Sequence, residues 1–267
     1  MPRSPVPLWR GLAGGALALL AACADPAPSA APVTTPPAAT LEEDVSAALR
    51  RMATTLTSAP AFTLTFNTLR EAPAGAAQSI LLSGAGAVVA ARPDRLYAAV
   101  GSDMGSYSLW YDGRAFTALN TQQNVYAVTP LSGGIETALK AVEARLGVTL
   151  PILPLLADDP YAMLTPAGTT GRFIGRSIIR DVVVDHFALN GPSGHWEIWL
   201  EAAPSALPLR VSFVEPGPER LRTILDFTAW NLRPRLPAGT FAFTPPRDAA
   251  RADFLPRGEA QTRSNTP

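Results

Sequence analysis

The chain has 267 residues, with 22 basic and 22 acidic side chains and a hydrophobic fraction of 47%. The balanced charge excludes the basic footprint of a nucleic-acid-binding protein. The apolar fraction is enough for a globular core, and the single cysteine, Cys23, excludes an internal disulfide.

The first element has the form of a leader. Arg3 and Arg10 precede an uninterrupted small and apolar stretch, Gly11 to Ala22. It suits a signal-peptide h-region and is shorter than the roughly 20 apolar residues that span a bilayer. Leu20-Ala21-Ala22 runs directly into Cys23 and resembles a bacterial lipobox, in which the cysteine takes a diacylglyceryl group before cleavage. The alternative is an ordinary signal peptide with an incidental cysteine. On the lipobox reading, residues 1–22 are removed and residues 23–40 are a lipidated N-terminus with a tether rich in Ala and Pro. Ala24 follows the cysteine, where an Asp would favour the inner membrane in enterobacterial lipoproteins, so the resemblance points to the outer membrane. Residues 41–255 form one domain, and residues 256–267 a polar tail expected to be disordered.

The domain opens on "LEEDVSAALRRMATTLTSA". Its Leu41, Val45, Leu49, Met52 and Leu56 recur at helical spacing, with Thr40 as the expected N-cap. "AFTLTFNTL" alternates strictly, placing Phe62, Leu64 and Phe66 on one face of a strand. "QSILLSGAGAVVA" reads as a strand weakened or bulged at Gly84 and Gly86. "DRLYAAV" follows, and then "SYSLWYDGRAFTALN", whose Asp112-Gly113 signals a hairpin with a type I′ turn. After "NVYAV" the period changes. Ile135, Leu139, Val142 and Leu146 describe a helix with Gly147 at its C-cap. "LPILPLLADDPYAML", broken by Pro151, Pro154 and Pro160, reads as one or two short helices. Strands then return through "GRFIGRSII", "VVVDHFAL", "HWEIWLE", "LPLRVSFVE", "RLRTILDFTAWNL" and "TFAFTPP". A leading helix, strands, a helical insertion and more strands predict an α+β fold built on one large antiparallel sheet.

"RPDRLYAAV", "YDGRAFTALNTQQNVYAVTP", "LGVTLPILPLLADDPYAML", "HWEIWLE…LPLRVSF" and "WNLRPRLPAGTFAFTPP" together resemble, in order and spacing, the bacterial envelope family filed as domain of unknown function 2092. The resemblance covers about Leu41 to Leu255. It implies a LolA-like fold, similar to the lipoprotein carriers LolA, LolB and LppX. In that fold a curved antiparallel sheet, an incomplete half-barrel, wraps around helices on its concave side and holds acyl chains between them.

Such a sheet makes an apolar trough from every second residue. Phe62, Leu64 and Phe66 are candidates for its lining. So are Leu96, Ala98 and Val100; Trp196, Ile198 and Leu200; Leu209, Val211 and Phe213; and Phe241 and Phe243. Leu139, Val142, Leu146, Ile152, Leu155 and Leu156 would form the lid. The competing reading is a filled core with no cavity. An empty trough would accept Ala98→Leu with little strain; a packed core would not.

Catalytic motifs are missing. There is no Gly-x-Ser-x-Gly, no His-Glu-x-x-His and no phosphate-loop lysine, Lys140 being the sole lysine. His186, His195 and Glu197 could meet near a hairpin end, but they read as sheet-surface residues, so neither metal nor cofactor is expected. Asp158-Asp159 reads as turn or cap chemistry. Trp110 and Tyr111, and likewise Trp196 and Trp199, point to opposite faces of their strands, so one of each pair faces outward and offers a surface to a protein or glycan. The sequence thus predicts a non-enzymatic, lipid-anchored envelope protein that binds or transfers a hydrophobic ligand. The alternative is a structural or sensory lipoprotein that binds an envelope protein and holds no ligand.

Overall fold

The computed structural model describes residues 40–75, 78–146, 149–216 and 218–253, without the side chain of Leu146. The leader over residues 1–22, Cys23, the tether up to residue 39, the Gly147 cap and the tail over 256–267 lie outside the described residues.

Helix α1 (Glu43–Ser58) precedes six strands: β1 (Ala61–Pro73), β2 (Ser79–Ala91), β3 (Arg95–Ser102), β4 (Gly105–Tyr111), β5 (Ala115–Asn120) and β6 (Val125–Pro130). Helices α2 (Ile135–Leu146), α3 (Leu153–Leu156) and α4 (Pro160–Leu164) follow. Then come β7 (Thr170–Ile179), β8 (Val182–Gly191), β9 (Gly194–Glu201), β10 (Pro208–Val214), β11 (Arg222–Asn231) and β12 (Ala250–Ala252). All twelve strands lie in one open sheet, ordered β12-β6-β5-β4-β3-β2-β1-β11-β10-β9-β8-β7. Its ladders are antiparallel except for β12 against β6. None of the described helices is long and apolar enough to cross a membrane.

The helices share one face of this sheet. α1 buries Val45, Ala48, Leu49, Met52, Ala53 and Leu56, the stripe its spacing predicts. These residues join Phe62, Leu64, Leu96, Tyr111, Ile198 and Phe213 from the strands in one core, with Leu139, Leu155 and Leu156 from the later helices. Helices α2 to α4 sit over the end of the sheet where β1 begins. There the amide of Ile135 donates to the carbonyl of Pro93 (2.9 Å), and Tyr111 Oη donates to the carbonyl of Gly133 (2.6 Å). This is the capped end; the other, at the β1–β2 hairpin, is the open end.

Four local expectations differ from what forms. Thr40 does not cap α1. The helix starts after Glu42 without a side-chain cap, while Leu41 bridges Gly171 and Glu42 Oε2 accepts from the amide of Phe173 (2.9 Å). Pairing with β7 satisfies groups that a cap would otherwise serve. β2 carries no bulge at Gly84 or Gly86, and its register against β1 and β3 is unbroken. A Cβ at Gly86 would stand 2.5 Å from the Phe66 ring, so the glycine is there to let that ring lie flat on the sheet. At the β4–β5 turn Gly113 alone has positive φ (83°), and Asp112 Oδ1 accepts the amides of Arg114 (2.9 Å) and Ala115 (2.8 Å). This is an Asx-type loop in place of a type I′ turn. "TFAFTPP" forms no strand. Phe243 instead lies on the bare face of the sheet, with ring centroids 5.0 Å from Trp110 and 5.1 Å from Tyr126. Proline cannot donate to a ladder; Pro245 and Pro246 end this segment, and Pro234 and Pro237 precede it.

Candidate functional site

Exposure rises along β1, β2, β3 and β4 from the capped end to the open end on the helix-covered face. On β1, Phe62 is 0% exposed and Phe66 7%; Thr68 beyond them is half-buried. On β2, Ala90 is buried, Gly86 and Leu82 are half-buried, and Ile80 is 50% exposed. On β4, Tyr111 is 0% and Tyr107 43% exposed, with Leu109 between them. The cause is coverage: α2 to α4 stop short of the open end, while the alternation of the strands continues.

The structure puts the candidate trough residues in the packed portion. Phe62, Leu64, Phe66, Leu96, Ala98, Leu139, Val142, Leu155, Trp196, Ile198, Leu200, Val211 and Phe213 are all buried in the common core. Val100 is half-buried against its margin, next to Tyr107 across the β3–β4 ladder. Leu146 ends α2, and its side chain is outside the description. Beyond this group, the sequence reading passed over Leu82, Leu109, Tyr107 and Ile80, which line the helix-covered face where no helix covers it. Their signal was available: they continue the alternation of Val88, Tyr111 and Ala98 along the same strands.

Arg92 joins the sheet to the helices at the capped end. Its Nη1 donates to the carbonyls of Ala157 (3.0 Å) and Leu156 (3.5 Å), just past α3 and at its last residue. Its Nε and Nη2 are buried without a partner. Burial lowers the pKa of this guanidinium, against the attraction of Asp158 at 3.8 Å. Outside the core, a cleft of about 350 Å³ lies between α1 and α4, lined by Arg50, Thr54, Thr57, Asp158, Asp159 and Tyr161. Arg50 stacks 3.8 Å above the Tyr161 ring, and Asp159 caps α4 by accepting the Ala162 amide (2.9 Å).

The bare face holds the two histidines. His186 Nε2 lies 3.3 Å from Glu197 Oε2, misaligned for a hydrogen bond, and His195 Nε2 lies 3.6 Å from Glu197 Oε1. Arg222 Nη1 sits 2.7 Å from the same carboxylate and donates to Ser212 Oγ (2.6 Å). Burial pushes the Glu197 carboxyl up, but Arg222 and the imidazoles outweigh it and hold the group below its ordinary value. Burial holds the His186 imidazole below its ordinary value, partly offset by Glu197. The guanidinium on Glu197 makes this an ion-paired cluster; among the described residues no group of three His, Cys, Asp or Glu side chains is arranged to hold a metal. Trp199 stacks on His186 at 4.0 Å, and Phe243 covers Trp110, so both outward tryptophans are partly enclosed by the chain itself.

The family described as "Predicted periplasmic protein (DUF2092)" matches residues 46–255. No curated protein matches the chain. Among solved structures, the chain is similar to an uncharacterized conserved protein from Thermus thermophilus (10% identity, TM-score 0.47, covering 79% of this chain and 99% of that one). It is also similar to LprF from Mycobacterium bovis (11% identity, TM-score 0.44, covering 79% and 100%). A third is a LolA superfamily protein from Nitrosomonas europaea (11% identity, TM-score 0.36, covering 74% and 96%).

Proposed function

The chain belongs to the DUF2092 family, and from that premise we propose that it is a periplasm-facing lipoprotein, anchored through Cys23 in the outer membrane, that binds the acyl chains of a lipid or lipoprotein. The observation that supports this reading is the uncovered apolar stretch of the helix-covered face. Val100, Tyr107 and Leu109 extend the core toward the open end, and Leu82 and Ile80 lie beyond the Gly84–Ser102 rung, on strands whose other half is fully packed. An acyl chain laid along them would bury surface worth about 25 cal/mol per Å² and needs no polar partner until its headgroup reaches solvent. Deeper entry, toward Ala98, Leu139 and Phe213, requires α2 to α4 to lift, with Arg92 releasing the carbonyls of Leu156 and Ala157.

Native mass spectrometry of protein purified without detergent tests the reading. We expect co-purified lipid on the wild type. Tyr107→Ala and Val100→Asp should then weaken saturable uptake of a fluorescent fatty acid, with the fold intact. A wild-type protein that carries no lipid and shows no saturable uptake refutes it. That result would favour a structural or sensory lipoprotein that binds an envelope protein, a reading supported by the close packing of Phe62, Tyr111 and Ile198.

A further inference from the structure

The open end carries a second kind of apolar surface, one that points off the end of the sheet. The β1–β2 ladder runs on from Ser83 to Ser79 after its last rung with β3, Gly84 against Ser102. On the other flank β11 begins only at Arg222, so Glu71 to Pro73 have no β11 strand partner. The hairpin therefore stands out from its neighbours. Its arms carry Ile80, Leu81 (64% exposed) and Leu69 (41%), and the adjoining β3–β4 turn carries Met104 (71%). Water is the costliest place for such side chains, and no described segment covers them.

The register of the sheet shows where the chain enters relative to this hairpin. Leu41 bridges Gly171, which pairs with Leu189 and through it with Trp196. The same line continues through Phe213 and Thr223 to Arg70 on β1 and Leu82 on β2. Leu41 runs parallel to β7, so Thr40 lies on the open-end side of that line, as does the hairpin tip. Cys23 stands seventeen residues before Thr40. A stretch of that length reaches about 55 Å when fully extended, and less when relaxed.

The charged groups at this end leave no basic excess to seek anionic headgroups. Arg70 lies 3.7 Å from Glu215, Arg222 is held by Glu197, and Asp103, accepting from Ser83, adds a negative charge.

From this placement we propose that the hairpin end is a membrane-docking surface: Ile80, Leu81 and Met104, flanked by Leu69, enter the interfacial layer of the bilayer that holds the lipid anchor. The proposal rests on the anchored reading of Cys23. The attraction is apolar, so a zwitterionic bilayer suffices and added salt does not weaken it. Docked this way, the uncovered stretch of Val100 and Tyr107 faces the source of acyl chains.

Lipidation converts Cys23 to a thioether, so Leu81→Cys in the full chain supplies the single free thiol. An environment-sensitive fluorophore placed there is read in phosphatidylcholine vesicles, with Arg51→Cys on the exposed side of α1 as the control. We expect blue-shifted emission at position 81 and several-fold weaker quenching by aqueous iodide than at position 51, at low and high salt alike. Equal quenching at the two positions overturns the proposal. So does shielding that vanishes in high salt, or shielding that grows with the protein-to-lipid ratio, which marks a second copy as the occupant. Failure of the anchor shows separately, as thiol labelling of the wild type at Cys23. Position 81 is then read in the Cys23→Ser background, where shielding sustains docking and its absence overturns it.

Discussion

The two ends of one sheet differ although the same strands make both. At the capped end Phe62, Ala90, Leu96 and Tyr111 lie under α2 to α4 and are shielded from water. At the open end Ile80 and Tyr107, on the same face of the same strands, are about half exposed. Strand alternation thus fixes which face is apolar, and helix coverage fixes how much of that face becomes core. What helices leave uncovered is available for a ligand or a membrane.

The sharpest way to break this contrast is to cut into the capped end. Phe62→Ala removes a ring with no exposed surface and should cost about 3–5 kcal/mol by urea unfolding. A loss below that of an ordinary surface change would mean that the helices already leave room there. Ala98→Leu probes the same point from the other side. Ala98 pairs with Val88 and Leu109 and belongs to the buried core, so the added methylenes should cost about 1–3 kcal/mol. A neutral result would restore the empty trough.

The ionic cluster near the open end should give a smaller effect that depends on pH. His186 is held below the ordinary imidazole value of 6.5 by burial, and Glu197 below the ordinary carboxylate value despite its burial. Each binds its proton less readily in the folded chain. Stability is therefore full above the unfolded imidazole value and declines as pH falls through it toward the folded one; it declines again as pH falls through the depressed pKa of Glu197. The melting temperature should drop between about pH 7 and pH 5, and His186→Gln should flatten that drop. An equal slope in wild type and variant would remove His186 from the account. The smallest effect belongs to the hairpin. Leu81→Ser should change unfolding stability by under about 0.5 kcal/mol, because the side chain has little folded-state packing to lose. A larger loss would show that the open end is part of the core.

Much of the molecule was legible in the chain. The stripe Val45, Leu49, Met52, Leu56 gave α1, and Phe62, Leu64, Phe66 gave the buried face of β1, because period and burial coincide where an element has one wet side. The strand expected over "TFAFTPP" failed because Phe243 finds its partners, Trp110 and Tyr126, on strands far away in sequence. Gly84 and Gly86 left a weakened or a bulged strand open, because a missing side chain looks the same whether the backbone bends or a neighbouring ring lies across it.

By itself the sequence determined the class of fold, an α+β chain built on one large antiparallel sheet, since local periodicity follows from which side of each element meets water. The leader and the lipidation of Cys23 are expectations that rest on adjacent residues only. The tertiary structure alone decided that Ala98 and Phe213 are packed while Tyr107 and Ile80 are open, and that Leu41 shares an end with the hairpin. It also brought His186, His195 and Arg222 onto the Glu197 carboxylate. Those facts depend on where α2 to α4 stop and on a register relayed across seven strands and bridges, and no local pattern encodes either.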